Sequence, residues 1–407
     1  MKTSRHRDRS VAIGFPGQPP GCRGRVTERA RLEWWVGEPG EPGSLIEDML
    51  RRHNLLLPDL AGMPPGGCDP AAAGSRCGAA VLVSTAACNL LAGRPAGPAS
   101  PAPGVPDVAV VVYEHAPPPT PLWHPVRPPR LGPWRPSWRT SDHAAAVREV
   151  RRAISRGDVY QVNVVGHWSA AYHGDPTGAL AAVAGLPGAR YAGAIQGDGW
   201  AVACASPEAL VTAEAGRVET RPIKGTRVAT PAGRAELLGS AKERAEHVMI
   251  VDLERNDLSR IARTGSVRVT ELFGIRRWCD LWQAESVVTA ELAPHIGLAE
   301  LLRALCPGGS VTGAPKLAAI DQIAALEPVG RGPSMAAIGY VTPYRIDVGL
   351  TIRTVAFDAG AVHLWAGGGI TWDSDPASEV AEAAAKAEPL MATLAATAAP
   401  RRVAATS

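Results

Sequence analysis

Lys224 is the most chemically suggestive residue in the chain, and it lies in the segment Arg221-Pro222-Ile223-Lys224-Gly225-Thr226. Proline fixes the backbone before it and glycine frees the backbone after it. An amine placed there behind an apolar isoleucine is open to partial desolvation, which lowers its pKa from roughly 10.4 toward a nucleophilic value. Glu208 is its candidate partner. Strand patterns at Ala209–Ala213 and Val218–Thr220 flank the turn Glu214-Ala215-Gly216. Antiparallel pairing about that turn sets positions 208 and 224 side by side at the open end of a hairpin. The two form an acid–nucleophile pair or, more plainly, a surface salt bridge.

Two further carboxylate pairs share a spacing. Glu243 and Glu246 lie three apart in Ala241–Asp257, and Glu379 and Glu382 repeat the interval near the C-terminus. Three residues apart is one helical face. A single such pair is ordinarily a solvated face. Here the flanks Val248-Met249-Ile250-Val251 and Val380-Ala381 are apolar, so burial is expected. Buried carboxylates are costly unless paired, and a hard divalent cation such as Mg2+ relieves that cost through oxygen ligands. His247, within the same helix, reads as a core histidine. Two glycine-rich runs complete the set. Pro307–Ala314 leads into a helix starting at Pro315, whose free amides suit a carboxylate or phosphate, and Gly367, Gly368 and Gly369 follow a strand and permit close backbone approach. Arg353 is a second carboxylate clamp or a surface ion pair. Neither glycine run has the form of a nucleotide phosphate loop.

The elements that must position these residues alternate between hairpins and helices. Asp142–Arg156 reads as a helix closed by Gly157, and Val159–His167 as a strand. A long helix is expected around Ala235–Ala262, others at Leu298–Leu305 and Pro315–Leu326, and a last one from Pro376 with Asp375 as N-cap. A second hairpin joins Thr354–Phe357 to Val362–Trp365 around Asp358-Ala359-Gly360. This mixture predicts an α+β fold of antiparallel sheets covered by helices. No strand-to-helix GxGxxG turn marks a dinucleotide enzyme.

Composition shifts near residue 140. Residues 25–139 are proline-rich, with Pro101-Ala102-Pro103 and Pro117-Pro118-Pro119 separating apolar strands such as Ala79–Ser84 and Val108–Tyr113, a loop-rich portion of a sheet. The catalytic region is expected over residues 140–395, between a basic, disordered leader at 1–24 and a tail at 396–407. The 407 residues are 46% hydrophobic and 20% charged, which suits a large soluble core. A net charge of +3, without a basic stripe, excludes nucleic acid as a partner, and no run of about 18 apolar residues spans a membrane. Seven scattered cysteines without a Cys-x-x-Cys pair fit buried thiols in a reducing cytoplasm.

Taken in order, several runs resemble the chorismate-utilising enzymes. They are Ser206-Pro207-Glu208, Pro222–Thr226, Ala241–Asp257, Gly308–Lys316, Ile352–Thr354 and Ala366–Ile370. The resemblance covers about residues 140–395. It implies one large α+β domain whose two antiparallel sheets pack as a sandwich with helices outside. It implies Mg2+ on Glu246 and Glu382, with Glu243 and Glu379 in the same cluster. Arg353 and the Gly367–Gly369 backbone would hold the carboxylates of chorismate. Ser310, Thr312 and Gly313 would lie beside them, with Gln161 and Thr226 completing the pocket. Members of the family that act as isochorismate or salicylate synthases carry a lysine base where this chain has Gln161, and the amine-adding members carry glutamine. Anthranilate-forming members have alanine in place of Lys224. The lysine therefore points to amination of chorismate at C4, by attack of Lys224 at C2 with Glu208 as acid. Formation of anthranilate or 2-amino-2-deoxyisochorismate is the closest alternative, and a non-catalytic chorismate-binding subunit a remote one. One departure stands out: Gln283 occupies the place of a family histidine three residues before Ser286, and a glutamine cannot shuttle protons near neutral pH. No Gly-x-Cys-x-Gly turn of a glutaminase is present, so ammonia from glutamine requires a separate amidotransferase subunit.

Overall fold

Runs rich in Val, Ile, Leu and Ala assemble into two antiparallel sheets. The computed structural model describes residues 26–66, 76–115, 129–278 and 281–398. One sheet has ten strands. Its path begins at Val26–Trp34, Val108–His115 and Arg76–Val83, crosses Ala337–Thr342, Arg345–Leu350, Ala209–Glu214 and Arg217–Arg221, and ends on Leu281–Glu291 and Ile223–Val228. Arg268–Trp278 also pairs with Leu281–Glu291. The eight-stranded sheet is built around Gln161–His173 and Ala361–Ile370, and continues through Thr354–Asp358, Trp200–Ser206 and Tyr191–Gln196. Every pairing is antiparallel.

The main core lies between the sheets. Val165, Val202 and Trp365 from the smaller sheet meet Val110, Leu210, Val211 and Ile338 from the larger one. Burying each such side chain stabilises the fold by about 1.5–3 kcal/mol. The other face of the smaller sheet is covered by the helices Thr177–Ala184 and Pro376–Ala398, through Leu180, Val183, Leu390 and Leu394. The expected α+β sandwich with outer helices is therefore the observed architecture. The proline-rich N-terminal part supplies three strands to the ten-stranded sheet.

Local expectations fare unevenly. The helix at Leu298–Leu305 has the expected bounds, Thr140–Arg156 ends on Gly157 at φ 81°, and Asp375 accepts from the Ser378 amide at 2.9 Å. The strand expected at Val159–His167 runs instead from Gln161 to His173. The single helix expected around Ala235–Ala262 is two, Pro231–Gly239 and Ala241–Ser259. Ser240 breaks it by accepting from the Glu243 amide at 3.3 Å, an N-cap inside the apparent run. The last helix extends to Ala398, past the expected start of the tail at 396. The leader lies outside the described residues.

Candidate active site

Lys224 occupies the second position of the strand Ile223–Val228 at the edge of the larger sheet. Its cross-strand partner is Ala284, so the simple hairpin expected to join it to Glu208 does not form. Arg217–Arg221 pairs with Ala209–Glu214 only as far as Arg221, with a bulge after Glu219. Pro222 has no N–H for the ladder, and the chain leaves that pairing for Leu281–Glu291. The neighbourhood survives by another route, because the Ile223 amide donates to Glu208 Oε1 at 3.4 Å. A second irregularity between Lys224 and Thr226 coincides with Gly225 at φ 78°.

Burial dominates the electrostatics of this pair. It raises the Glu208 carboxyl above its ordinary range, opposed by the Lys224 charge, the Ser310 hydroxyl and the Ile223 amide. Burial equally lowers the Lys224 amine, opposed by the charges of Glu208, Glu246 and Glu243 and assisted by that of Lys386. Lys224 Nζ donates to the Ser310 carbonyl at 3.3 Å. The half-buried amine and the buried acid thus share one corner beside the Ser310 turn.

The turn itself is not the open loop that its glycines suggest. Gly309–Thr312 forms a short buried helix, and Gly313-Ala314 pairs with Val162 and Gln161. The Thr312 hydroxyl donates to the Gly308 carbonyl at 2.8 Å, turned back into its own helix. The helix beyond Pro315 begins with Lys316, buried against Asp257 at 2.5 Å and donating to the Leu305 carbonyl at 3.2 Å.

In the smaller sheet, Gly367, Gly368 and Gly369 lie on Ala361–Ile370 opposite Val165, Val164 and Asn163. A Cβ on Gly368 would sit 3.2 Å from Glu379 Oε2 and 3.7 Å from Glu382 Oε1, and one on Gly369 would collide with the Gln161 amide. Gln161 is fully buried, and neither its Nε2 nor its Oε1 has a hydrogen-bond partner. Orphaning such a group costs about 1–3 kcal/mol, which a polar ligand would recover. Arg353 adopts φ 50°, a conformation uncommon outside glycine, and its carbonyl accepts from Ala205. Thr226 is exposed, opposite Gln283. The Gln283 Oε1 is buried without a hydrogen-bond partner.

The four glutamates come from two helices, Ala241–Ser259 and Pro376–Ala398. Burial and the charges of Glu243 and Glu379 raise the Glu246 carboxyl, against the pull of Lys224 and Lys242. Burial and the charge of Glu382 raise Glu379. Glu382 bonds Lys386 at 2.6 Å, and Glu243 bonds Arg227 at 3.2 Å. Among the described residues no three such side chains converge on one point. The donor set is nonetheless all oxygen and mutually repelling, which fits a hard divalent cation. His247, read as a core histidine, is fully buried with Nε2 2.6 Å from the Ser286 hydroxyl, and burial lowers it to about 4.

Several residues at the site were not singled out in the sequence. Lys386 donates to the Gly367 carbonyl at 3.0 Å, and its spacing of four from Glu382 was the available signal. Glu254, Asp257, Lys316, Glu327 and Arg331, behind the Ser310 turn, have no local signature beyond charge in an apolar setting.

The model of the chorismate binding enzyme family matches residues 106–392. The chain belongs to that family. It is 40% identical over 256 residues to aminodeoxychorismate synthase component 1 of Klebsiella aerogenes, covering 61% of this chain and 57% of that protein. It is 36% identical over 268 residues to anthranilate synthase component 1 of Aquifex aeolicus, covering 63% and 54%. The matches span little more than half the length of these curated relatives. In fold, it resembles anthranilate synthase component I from Streptococcus pneumoniae TIGR4, with a TM-score of 0.74 at 23% identity over 96% of this chain and 95% of that one.

Proposed function

We propose that the chain aminates chorismate at C4 with ammonia, giving 4-amino-4-deoxychorismate. The observation that carries this reading is Lys224 itself, an amine lowered by burial beside a carboxyl raised by burial. A neutral amine is a nucleophile and a protonated carboxyl is an acid. Lys224 attacks C2, the ring double bonds shift, and the C4 hydroxyl leaves as water with the Glu208 proton. Ammonia then attacks C4, the double bonds shift back, and Lys224 departs. The proton released from the two nitrogens returns to Glu208, so the sum is chorismate plus ammonia giving amine plus water. Two displacements leave the enolpyruvyl ether untouched.

The rest of the site binds and orients. The unpaired Gln161 amide and the half-buried Arg353 supply polar partners for a substrate with two carboxylates and a hydroxyl. Gly367–Gly369 let it approach the backbone, and Ser310 steers Lys224. Glu246 and Glu382, with Glu243 and Glu379, would hold Mg2+, which when bound supplies positive charge against the substrate's carboxylates. Gln283 cannot move a proton, which suits a reaction that stops before pyruvate elimination. Ammonia would come from a separate glutamine amidotransferase subunit in the same cytoplasmic compartment. No helix among the described residues is long and apolar enough to cross a membrane.

The test is product identification with chorismate, magnesium and ammonium, with and without an added glutaminase. The native chain forms the 4-amino product and Lys224→Ala does not, while still binding chorismate. A 2-amino product from the native chain would favour anthranilate or 2-amino-2-deoxyisochorismate synthesis instead, and an undiminished rate in Lys224→Ala would remove the covalent route.

A further inference from the structure

The Gly309-Ser310 turn has two sides. Its front carries the Ser310 carbonyl that takes Lys224 Nζ at 3.3 Å, and the Ser310 hydroxyl beside Glu208. Its back rests on the helix Ala241–Ser259. A Cβ on Gly309 would lie 2.5 Å from Leu253 Cδ2 and 3.3 Å from Glu254 Oε1, so a side chain there would have to displace Leu253 from behind the turn. Glu254 is buried, with its carboxyl packed against Gly309 and the turn amide among the groups that favour its charged form. The charged groups facing it are Asp257 from its own helix, Lys316 from the Lys316–Leu326 helix, and Glu208 from the segment before Ala209–Glu214. Lys316 is already held by Asp257 and by the Leu305 carbonyl. Glu254 is therefore left facing the turn at Gly309.

We propose that Glu254 is a positioning residue, which seats the Gly309-Ser310 turn from behind and so sets where the Lys224 amine lies relative to Glu208. It touches no reacting atom and acts through one peptide unit. Burial and the Asp257 charge push its carboxyl up to about 8, so near neutral pH it is a neutral acid. An amide is then its close mimic. The effect on rate rests on the amination reading above, whereas the environment of the Lys224 amine is measurable without it.

The experiment compares native chain, Glu254→Ala and Glu254→Gln by two readouts. The first is the pH midpoint at which Lys224 is acetylated by trace acetic anhydride, followed on its peptide by mass spectrometry. Losing the carboxyl packed behind Gly309 releases the turn and admits water, so Glu254→Ala moves that midpoint up toward an ordinary lysine. Glu254→Gln, which keeps the shape and an oxygen facing Gly309, returns it to the native value. The second is kcat for the 4-amino product, which falls about tenfold to a hundredfold in Glu254→Ala, as expected for a small misplacement of a reacting group, and is rescued in Glu254→Gln. A midpoint that moves with no change in rate upholds the positioning role and rejects Lys224 as the nucleophile. Native midpoints in both variants overturn the proposal. If Glu254→Ala does not fold, Glu254→Asp, one methylene short of the Gly309 amide, provides the same contrast.

Discussion

Replacing Arg331 by Met should destabilise the protein by about 4–6 kcal/mol, far above the usual cost of one substitution. The Arg331 guanidinium meets Glu327 in a two-pronged pair, Nη2 to Oε1 at 2.6 Å and Nε to Oε2 at 2.8 Å, with both side chains 3% exposed or less. It also donates to the Val311 and Asn163 carbonyls, each at 2.7 Å. Methionine fills the stem but removes all four bonds. Glu327 is left buried with the Val165 amide, at 2.9 Å, as its hydrogen-bond donor. Breaking a buried pair from one side costs about 3–5 kcal/mol, and the Asn163 carbonyl adds about 1. The Val311 carbonyl adds little, because Asn163 Nδ2 still donates to it at 3.0 Å. Most of the loss comes from a stranded charge, so the double variant Glu327→Gln/Arg331→Met should recover the larger part of it. Urea unfolding of the native chain, Arg331→Met, Glu327→Gln and the double variant at pH 7 measures both quantities. A single-mutant loss below about 1 kcal/mol, or a double variant no more stable than Arg331→Met, would refute the argument that the pair is a stranded-charge trap.

Three other outcomes are expected. Gly225→Ala should cost about 2–5 kcal/mol by thermal unfolding, from about 1–2 for alanine in the left-handed region and about 1–3 for overpacking. Gly225 sits at φ 78°, with Leu237 Cδ1 2.7 Å and Glu243 Oε2 3.1 Å from the new methyl; a loss under 1 would contradict that crowding. Glu254 is raised from 4.5 to about 8, so between those values the native state holds a proton that the unfolded chain releases, and stability falls as pH rises. The urea midpoint of Glu254→Gln should therefore gain on the native chain from pH 5 to 8, and a constant difference would count against the raised carboxyl. Magnesium should raise the thermal midpoint of the native chain more than that of Glu246→Gln/Glu379→Gln, read by scanning fluorimetry, and equal shifts would place the cation elsewhere.

How much of this was legible in the sequence depends on the range of the interaction. Helix ends with local signatures were readable, as at Gly157 and Asp375. The break at Ser240 was readable too, since serine followed three residues later by glutamate marks an N-terminus, but the continuous charged and apolar pattern around it masked the signal. The order of strands was not readable, because Ile223–Val228 pairs with residues 281–285, some sixty positions away in sequence. That long-range pairing is also why Lys224 reaches Glu208 by an unexpected route. The residues behind the Ser310 turn were silent for the same reason: Asp257 and Lys316, or Arg331 and Asn163, become partners only once distant elements pack.

The hairpin argument and the structure agree on adjacency for different reasons, and the second is chemically more useful. In an open hairpin end, water would keep Glu208 and Lys224 ionised, and their salt bridge would contribute little. In the buried corner that is observed, desolvation penalises both charged forms, raising the acid and lowering the amine. Both shifts lie in the direction that favours the neutral amine and the neutral acid over the charged forms. The chemistry proposed for the site requires that: a free amine to attack, a protonated acid to release the hydroxyl, and the reverse assignment when the lysine leaves. On the proposed mechanism, burial would be the source of the pair's reactivity, and whatever fixes the depth of the corner, from Pro222 at its edge to Glu254 behind its turn, would tune it.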